Sequence, residues 1–239
     1  MQLDAHHFKV AATRGVHQFD LVLGAAHIHA VAVLEREGRL PVECGVRMLI
    51  TDADLQPGES VLIRGVGESI ATAALQLALR LGAHTIVTAD HPDNLSPALA
   101  LGAAHGIDET KEDFPVEVRR LTGKRGVAVV VDCIGDDGWA KNFAALSRGG
   151  RLVTCGASAG AKVVTDVRRI FWNNLKVFGS SLGTRDEFRR VLNFLEATGT
   201  KPVIDKVYPL ADAAHAHERL APGGHFGKIV LRMNDSSGA

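Results

Sequence analysis

The sequence predicts an α/β fold, namely a doubly wound parallel sheet with a small remnant of a second domain. Three observations lead to this fold class. From residue 60 onward, apolar runs alternate with segments of helical periodicity. The apolar runs contain no alternating polar residues, which is typical of strands buried on both faces. A glycine turn separates the first of these strands from its helix. The chain has 239 residues, which is long enough to bury a sizeable core.

The first predicted unit is a strand, a glycine turn, a helix and a second strand. The strand covers 61–63, and the turn at 65–67 ends it. The helix carries apolar residues at helical spacing and ends near Gly82, a residue type that favours a C-cap position. The second strand covers 86–89 and closes on Asp90. This layout is typical of a dinucleotide-binding βαβ unit, in which a pyrophosphate lies at the helix N-terminus and a carboxylate holds ribose hydroxyls.

The same alternation continues to the end of the chain. Because Pro97 cannot lie inside a helix, we expect Ser96 to cap a short helix that begins at Pro97. In the first 44 residues we predict only one element, a helix around 25–37, and we expect residues 234–239 to be disordered. The further predicted strands are 105–108, 127–135, 151–155, 175–180, 201–210 and 227–233, and the further predicted helices are 114–121, 139–146, 186–197 and 212–221.

The composition excludes several classes of partner. Lysine plus arginine and aspartate plus glutamate each total 27, so no basic excess indicates nucleic acid. No apolar run approaches the roughly 20 residues that a membrane span needs, and no targeting segment opens the chain. The cysteines lie far apart without a CxxC pair, which favours reduced thiols over a disulfide framework. We therefore expect a soluble, cytoplasmic protein.

The order and spacing of several segments are specific enough to indicate a family. These segments are RMLITDADLQPGESVLI, ATAALQLALRLGA, VDCIG, GGRLVTCGA, KVFGSSLGT, PVIDKVYPL and GHFGKIVL. Together they resemble the medium-chain dehydrogenase/reductase superfamily, and most closely its zinc-type alcohol dehydrogenase-like and quinone oxidoreductase branches. The resemblance covers about residues 46–233.

The resemblance implies a domain organisation and a reaction. A dinucleotide-binding Rossmann domain at 46–200, with strand order 3-2-1-4-5-6, is followed by a returning strand-helix-strand at 201–233. Family members also carry an N-terminal GroES-like catalytic domain, of which residues 1–45 are a remnant or a rebuilt form. The implied reaction is hydride transfer between a nicotinamide and a carbonyl, alcohol or activated alkene, although no catalytic residue can be named. The alternative is a non-catalytic dinucleotide-binding or interaction module that has lost its catalytic domain.

The candidate cofactor contacts begin at the glycine turn, where small residues leave room for a pyrophosphate. Glu68 departs from the family pattern, because a carboxylate there repels the pyrophosphate and competes for the same N–H donors. Alternatively, Glu68 only satisfies the helix N-terminus. Asp90 favours NAD over NADP, since it accepts ribose hydroxyls and repels a 2′-phosphate, or else it is a solvated strand end or a cap for the next turn. By resemblance, relatives that prefer NADP often carry a lysine a few positions further on, where this chain has Asn94. The candidates at the turn are Gly65, Val66, Gly67, Glu68, Ser69, Ile70 and Ala71.

By resemblance, three further segments at the carboxyl ends of strands pass near the nicotinamide ribose, mostly through their backbone. We interpret Cys133 and Cys155 as small buried hydrophobic residues rather than as reactive thiols, because no neighbouring His or Lys in sequence indicates a lowered pKa. The residues of these segments are Cys133, Ile134, Gly135, Gly156, Ala157, Ser181, Leu182 and Gly183.

The histidines do not indicate a metal site. His27 and His29 are two residues apart, as are His215 and His217, and this spacing does not put both side chains on one face of a helix. On a strand the first pair could converge with Cys44 as a third ligand, but we expect no zinc.

The last two strands raise a question of pairing. In the family, the strands at 203–208 and 228–231 belong to the catalytic domain, so without that domain their edges would be unpaired. Either the N-terminal residues or a partner would then cover them. The sixth strand, KVFGSSLG, is the edge through which relatives commonly dimerise, so we expect a homodimer.

Overall fold

The computed structural model describes residues 16–19, 31–34, 41–135, 138–181 and 185–232. The chain divides into two compact units. The larger unit spans residues 40–202, and the smaller unit consists of residues 1–39 and 203–239. Each unit holds a sheet of its own.

Strands and helices alternate along most of the chain. The strands are β1 (Val16–Phe19), β2 (Val31–Leu34), β3 (Ser60–Ile63), β4 (His84–Ala89), β5 (His105–Asp108), β6 (Val127–Asp132), β7 (Leu146–Thr154), β8 (Lys176–Gly179), β9 (Ile204–Pro209) and β10 (Lys228–Arg232). The α-helices are α1 (Pro41–Val46), α2 (Ser69–Arg80), α3 (Leu95–Leu101), α4 (Phe114–Leu121), α5 (Trp139–Ala145), α6 (Val167–Trp172), α7 (Arg185–Thr198) and α8 (Ala213–Leu220). A π-helical turn follows α1 at Arg47–Asp52, and 3-10 turns lie at Pro92–Asn94 and Leu210–Asp212.

The larger unit contains a six-stranded parallel sheet in the order β5-β4-β3-β6-β7-β8. Counted along the chain within this sheet, the order is 3-2-1-4-5-6, which confirms the predicted doubly wound fold. The chain leaves the middle of the sheet at β3 and crosses to its other half at β6. The carboxyl ends of β3 and β6 are therefore neighbours at the topological switch point, where open α/β sheets bind ligands.

The central strands form because their side chains are apolar on both faces. Val129, Val130 and Val131 in β6 are fully buried, as expected for a parallel strand covered on both sides. Helices α4 and α5 pack on one face, where Phe114 and Phe143 join the core. The same cluster also contains Leu62, Ile86, Ile107, Val118, Val130, Leu146, Leu152 and Leu175.

Helix α2 begins directly after the glycine turn and runs for 12 residues. Gly82 has a φ of +74°, and its N–H donates to the carbonyl of Leu79 at 3.1 Å. The N–H of Ala83 reaches back to Ala78 at 3.0 Å. These paired bonds satisfy the last carbonyls of the helix and confirm that Gly82 terminates it.

The predicted start of the third helix is wrong. Helix α3 begins at Leu95 rather than at Pro97, and its N-cap is Asn94 rather than Ser96. Pro97 is tolerated because it occupies the third helical position, where a backbone N–H would have no partner within the helix. Two predicted strand boundaries also differ, since β6 ends at Asp132 and β7 already begins at Leu146.

The smaller unit contains a four-stranded sheet in the order β1-β2-β10-β9. The predicted helix around 25–37 is wrong at 31–34, because these residues form β2, which pairs antiparallel with β10. The sequence VAVL suits a strand as well as a helix, and the edge of β10 offers backbone partners that a helix would leave unpaired. N-terminal residues thus cover this edge, one of the two alternatives that the sequence left open.

Helix α8 packs against β9 and β10 in the smaller unit. Ile229, Leu231 and Ala216 are buried there, and Tyr208 packs against them. The Arg219 guanidinium donates to the Asp205 carboxylate at 2.8 Å and so joins α8 to β9. In the part of the chain that the structure describes, no helix combines the length and the apolar character that crossing a membrane requires.

Candidate functional site

The candidate site lies at the carboxyl edge of the six-stranded sheet, where β3 turns into α2. Gly65 and Gly67 have φ values of +72° and +114°, a region that glycine occupies without steric cost. A Cβ on Gly65 would lie 2.8 Å from Cδ1 of Ile134, and a Cβ on Gly67 would overlap the amide of Asn94. The glycines therefore allow the turn to pack against the segments that follow β4 and β6.

Most backbone donors of the turn are used within the protein. The N–H groups of Gly65 and Val66 donate to the hydroxyl and the carbonyl of Thr88, at 3.3 and 2.8 Å. The N–H of Gly67 donates to the Thr72 hydroxyl at 3.2 Å, and the N–H of Glu68 donates to the Gly65 carbonyl at 3.3 Å. The turn itself therefore offers an anion few donors.

The first turn of α2 supplies the donors that remain. Ser69, Ile70 and Ala71 occupy the first three helical positions, where backbone N–H groups have no carbonyl partner within the helix. These N–H groups point out of the helix end together with the positive end of its dipole. An anion such as a phosphate therefore fits the N-terminus of α2.

Glu68 occupies the N-cap position of α2 and is exposed. Its side chain makes no capping hydrogen bond, and the first turn of the helix holds no other acidic residue. The carboxylate can still interact favourably with the helix dipole, which is the alternative interpretation of Glu68. A negative charge thus stands beside the N–H groups that an anion would use.

Asp90 follows β4 directly and is exposed. Between β4 and α3, Asn94 is only 5% exposed, and its Oδ1 has no hydrogen-bond partner in the described part of the chain. The Asn94 amide packs against Gly67 and so lies close to the N-terminus of α2. The sequence marked Asn94 only as a position where relatives carry lysine.

The segments after β6 and β7 are joined to each other. Gly135 forms a backbone bridge with Gly160, and the N–H of Ala159 donates to the carbonyl of Ile134 at 3.0 Å. A Cβ on Gly156 would lie only 2.7 Å from the Cys133 carbonyl oxygen, so this segment also needs glycine. The structure therefore brings together Cys133, Ile134 and Gly135 with Gly156 and its exposed neighbour Ala157.

The sixth strand of the sheet, β8, ends beside β7. The N–H of Ser180 donates to the carbonyl of Thr154 at 2.7 Å, which holds the end of β8 against the sheet. Ser180 is buried, and its hydroxyl oxygen has no partner among the residues described. Ser181 is exposed, whereas Leu182 and Gly183 lie outside the described residues.

Sequence reasoning missed a buried charged network below the turn. Arg64 follows β3 directly and is only 2% exposed. Its guanidinium donates to the Glu109 carboxylate at 3.0 Å and to the Asp132 carboxylate at 3.4 Å, and it lies 4.8 Å from the centre of the Phe114 ring. Gly138 packs so closely on Arg64 that a Cβ there would overlap the guanidinium. A charged residue directly after a buried strand was the signal available in the sequence.

Asp132 is the fully buried member of this network. Its carboxylate accepts hydrogen bonds from the backbone N–H groups of Ile134 and Gly135, at 2.9 and 3.3 Å, and from the Asn142 amide at 2.8 Å. Burial raises the pKa of the Asp132 carboxyl above its ordinary value, and the positive charge of Arg64 acts in the opposite direction. Asp132 thus fixes the backbone of the segment that follows β6.

Metal ligands do not converge in the described part of the molecule. His27 and His29 lie outside the described residues, Cys44 is buried, and His215 and His217 are exposed on α8. Within the ranges that the structure describes, no three His, Cys, Asp or Glu side chains come together as a metal site requires. These residues therefore offer no donor set to a zinc ion.

Comparisons with known proteins agree with the fold. A family model described as zinc-binding dehydrogenase matches residues 69–197. Human quinone oxidoreductase is 27% identical over 201 residues, which are 81% of this chain and 60% of that protein. The NAD-dependent alcohol dehydrogenase of Sulfolobus acidocaldarius is 31% identical, over 76% of this chain and 52% of that protein. A crystal structure of an NAD-dependent alcohol dehydrogenase has a TM-score of 0.75 at 35% identity, over 82% of this chain and 57% of that one.

The chain spans between about half and three-fifths of the length of the curated relatives it matches. The family match alone covers more than half of this chain and includes α2 and β4 to β8. These matches confirm the resemblance that the sequence motifs indicated. The chain therefore belongs to the zinc-binding dehydrogenase family, within the medium-chain dehydrogenase/reductase superfamily.

Proposed function

We propose that this chain is the nucleotide-binding part of an NAD(P)(H)-dependent oxidoreductase. The observation that carries the proposal is the N-terminus of α2 at the switch point of a 3-2-1-4-5-6 sheet, with Asp90 at the end of the neighbouring strand. A bound nicotinamide would supply the hydride that passes to or from a carbonyl, alcohol or activated alkene. The residues of this chain would bind and orient that group.

The residues divide into two groups along the carboxyl edge of the sheet. The N–H groups of Ser69, Ile70 and Ala71 would receive the pyrophosphate, and the carboxylate of Asp90 would accept the hydroxyls of the adenosine ribose. The buried amide of Asn94 packs against Gly67, close to the N-terminus of α2. At the carboxyl ends of β6, β7 and β8, backbone groups of Cys133, Ile134, Gly135, Gly156, Ala157 and Ser181 would flank the nicotinamide ribose. The resemblance assigns the same contact to Leu182 and Gly183, which lie outside the described residues.

NAD is the cofactor that this arrangement favours. Asp90 is exposed at the end of β4, so its carboxylate would repel the 2′-phosphate of NADP. Asn94, which stands where NADP-preferring relatives carry lysine, brings no positive charge to compensate. We therefore expect NADH to bind more tightly than NADPH.

A second candidate function is a dinucleotide-binding or interaction module without catalytic activity. Two observations favour it. The carboxylate of Glu68 stands at the N-terminus of α2, and the turn at 65–68 already uses its own N–H groups.

Titration of the whole chain with NADH and NADPH, followed by fluorescence, separates these functions. Glu68→Gln removes one charge beside the pyrophosphate position and should tighten NADH binding about fivefold, since two charges near a wet surface interact by about 1 kcal/mol. Glu196→Gln on α7 is the matched control, because this exposed glutamate lies on another element, and it should leave the Kd unchanged.

The outcomes are distinct. NADH binding with turnover of a quinone or an aldehyde supports the oxidoreductase, and NADH binding without turnover supports the second candidate. If neither dinucleotide binds to the wild type or to Glu68→Gln at millimolar concentration, then both dinucleotide functions are wrong and an interaction role remains.

The assembly and the compartment are part of the same proposal. β8 is an edge strand of the six-stranded sheet, and its Val177 is 40% exposed. An unpaired edge of this kind can continue the sheet into a second copy of the chain, so we propose a homodimer through β8. We also propose a reducing compartment such as the cytoplasm, because none of the three cysteines forms a disulfide.

A further inference from the structure

Two of the three cysteines meet at the carboxyl edge of the sheet, although 22 positions separate them in the chain. Cys133 follows β6 and Cys155 follows β7, and their Sγ atoms are 3.5 Å apart. The third cysteine, Cys44, lies before the π-helical turn and is fully buried. Sequence spacing alone does not reveal this contact, because it depends on the pairing of two strands.

The backbone around the two thiols suits a disulfide bond. Asp132 and Thr154 are paired in parallel register, so the residues that follow them stand side by side. Neighbouring strands lie about 4.8 Å apart, and disulfides join Cα atoms that are about 4.4 to 6.8 Å apart. The Sγ atoms need to approach only from 3.5 Å to about 2.05 Å, a change that side-chain rotation supplies.

The two thiols are buried, but they are slightly more exposed than the third. Cys133 and Cys155 are 5% and 4% exposed, whereas Cys44 is 0% exposed. Both belong to segments that end at the exposed edge of the sheet, next to the exposed residue Ala157. Of the three cysteines, Cys133 and Cys155 are thus the more accessible to a small oxidant.

We propose that Cys133 and Cys155 form an oxidisable dithiol, which hydrogen peroxide converts into an intramolecular disulfide. The first thiolate attacks the peroxide O–O bond, which breaks, and yields a sulfenic acid and one water. The second thiolate attacks the sulfenic sulfur, the S–S bond forms, and the S–O bond breaks to release a second water. The two thiols lose two electrons and two protons in total, and the peroxide takes up both.

The bond would join the two segments that flank the proposed nicotinamide ribose. Cys133 precedes Ile134 and Gly135, and Cys155 precedes Gly156 and Ala157. The segments are already tied by the bond from the Ala159 N–H to the Ile134 carbonyl, so a disulfide adds a covalent link to an existing contact. The dithiol is therefore a modification site within the proposed cofactor cradle.

The test is to treat the whole chain with hydrogen peroxide in a mildly alkaline buffer that contains a metal chelator. Thiols are then counted after denaturation, and non-reduced peptides are mapped by mass spectrometry. We expect the loss of two of the three thiols and a peptide pair that joins Cys133 to Cys155. Cys44→Ser should lose both of its thiols in the same way, whereas Cys133→Ser and Cys155→Ser should yield no intramolecular link.

Three results would overturn the proposal. One is wild-type protein that keeps all of its thiols until it unfolds, and another is a link that includes Cys44. The third is oxidation that produces only disulfides between chains, visible as a dimer on a non-reducing gel. The peptide map of the wild-type protein decides these cases even if a serine variant folds poorly.

One arm of the experiment rests on the proposed function. A bound dinucleotide would cover the segments after β6 and β7, so saturating NADH should slow the formation of the disulfide severalfold. If the disulfide forms at the same rate with and without NADH, then the cofactor placement is wrong while the dithiol stands. If no disulfide forms in either case, the dithiol proposal fails and the cofactor placement is unaffected.

Discussion

At the scale of single residues, Arg64 shows most clearly what the sequence conceals. It is almost fully buried and pairs with Glu109 and Asp132, which lie 45 and 68 positions away. Burying a guanidinium is tolerated only where carboxylates pair with it, and Thr88 adds a hydrogen bond to Glu109. The glycines of the turn were predictable because their φ values are a local property. The partners of Arg64 were not, since they depend on how the strands are ordered.

Arg64→Met tests this network. The substitution leaves the buried carboxylate of Asp132 without its cation, and breaking a buried pair costs about 3–5 kcal/mol. We therefore expect the free energy of unfolding, measured with urea, to fall by about this amount. Arg168→Met is the matched control, because Arg168 is 81% exposed in its pair with Asp166 and should change stability by less than about 0.5 kcal/mol. Similar losses in the two variants would contradict the role of Arg64.

At the scale of elements, the sequence predicted the long periodic segments well and the short ones poorly. The strands and helices of the parallel sheet carry their own apolar pattern, as in α4, whose bounds Phe114–Leu121 agree with the prediction. The segment at 31–34 carries no such pattern. Its four apolar residues fit the period of a helix as well as that of a strand, and only the pairing with β10 makes it a strand. Helix α3 begins early for a similar reason, since the 3-10 turn at Pro92–Asn94 feeds directly into it.

The turn between β5 and α4 provides a test of acid stability. Hydrogen bonds from the side chains of Lys111 and Thr110 lower the pKa of Asp108 to about 2. This value lies below the ordinary pKa of about 3.9, so the carboxylate stabilises the folded protein above that pH. The contribution is lost as the pH falls from about 4 towards about 2.

Asp108→Asn removes this titration. Its free energy of unfolding should depend less on pH than that of the wild type over that window, as measured by urea unfolding at a series of pH values. If the free energies of unfolding of the two proteins changed equally with pH, the hydrogen bonds of Asp108 would not favour its charged form.

At the scale of the whole molecule, the strand order followed from the alternation of strands and helices together with the family resemblance. The cofactor site was predicted as a set of segments, and the structure brings Gly65 next to Ile134 and Gly135 next to Gly160. The sequence could not show which N–H groups of the turn are free to bind a pyrophosphate. The N–H groups of Gly65 and Gly67 are occupied by the hydroxyls of Thr88 and Thr72, and these contacts depend on the fold.

Assembly through β8 is the prediction at this scale. Val177→Lys places a charge on the proposed edge, where a lysine blocks the pairing of strands, so a dimer of the 25.4 kDa chain should become a monomer. Val116→Lys is the control, because Val116 is 60% exposed on α4 and faces no proposed interface. Sedimentation distinguishes the two states. A wild-type monomer, or a Val177→Lys variant that stays dimeric, would exclude this interface.

The pairing of β2 with β10 sets an order of events during synthesis. Leu34 leaves the ribosome nearly two hundred residues before its partner Ile229. At about 5–20 residues per second, the N-terminal strands wait roughly 10 to 40 seconds for the strand that covers them. The parallel sheet of the larger unit is complete in the nascent chain well before then, as β8 ends at Gly179. β2 is thus made long before β10, and until β10 arrives the edge of β2 that faces it lacks this backbone partner.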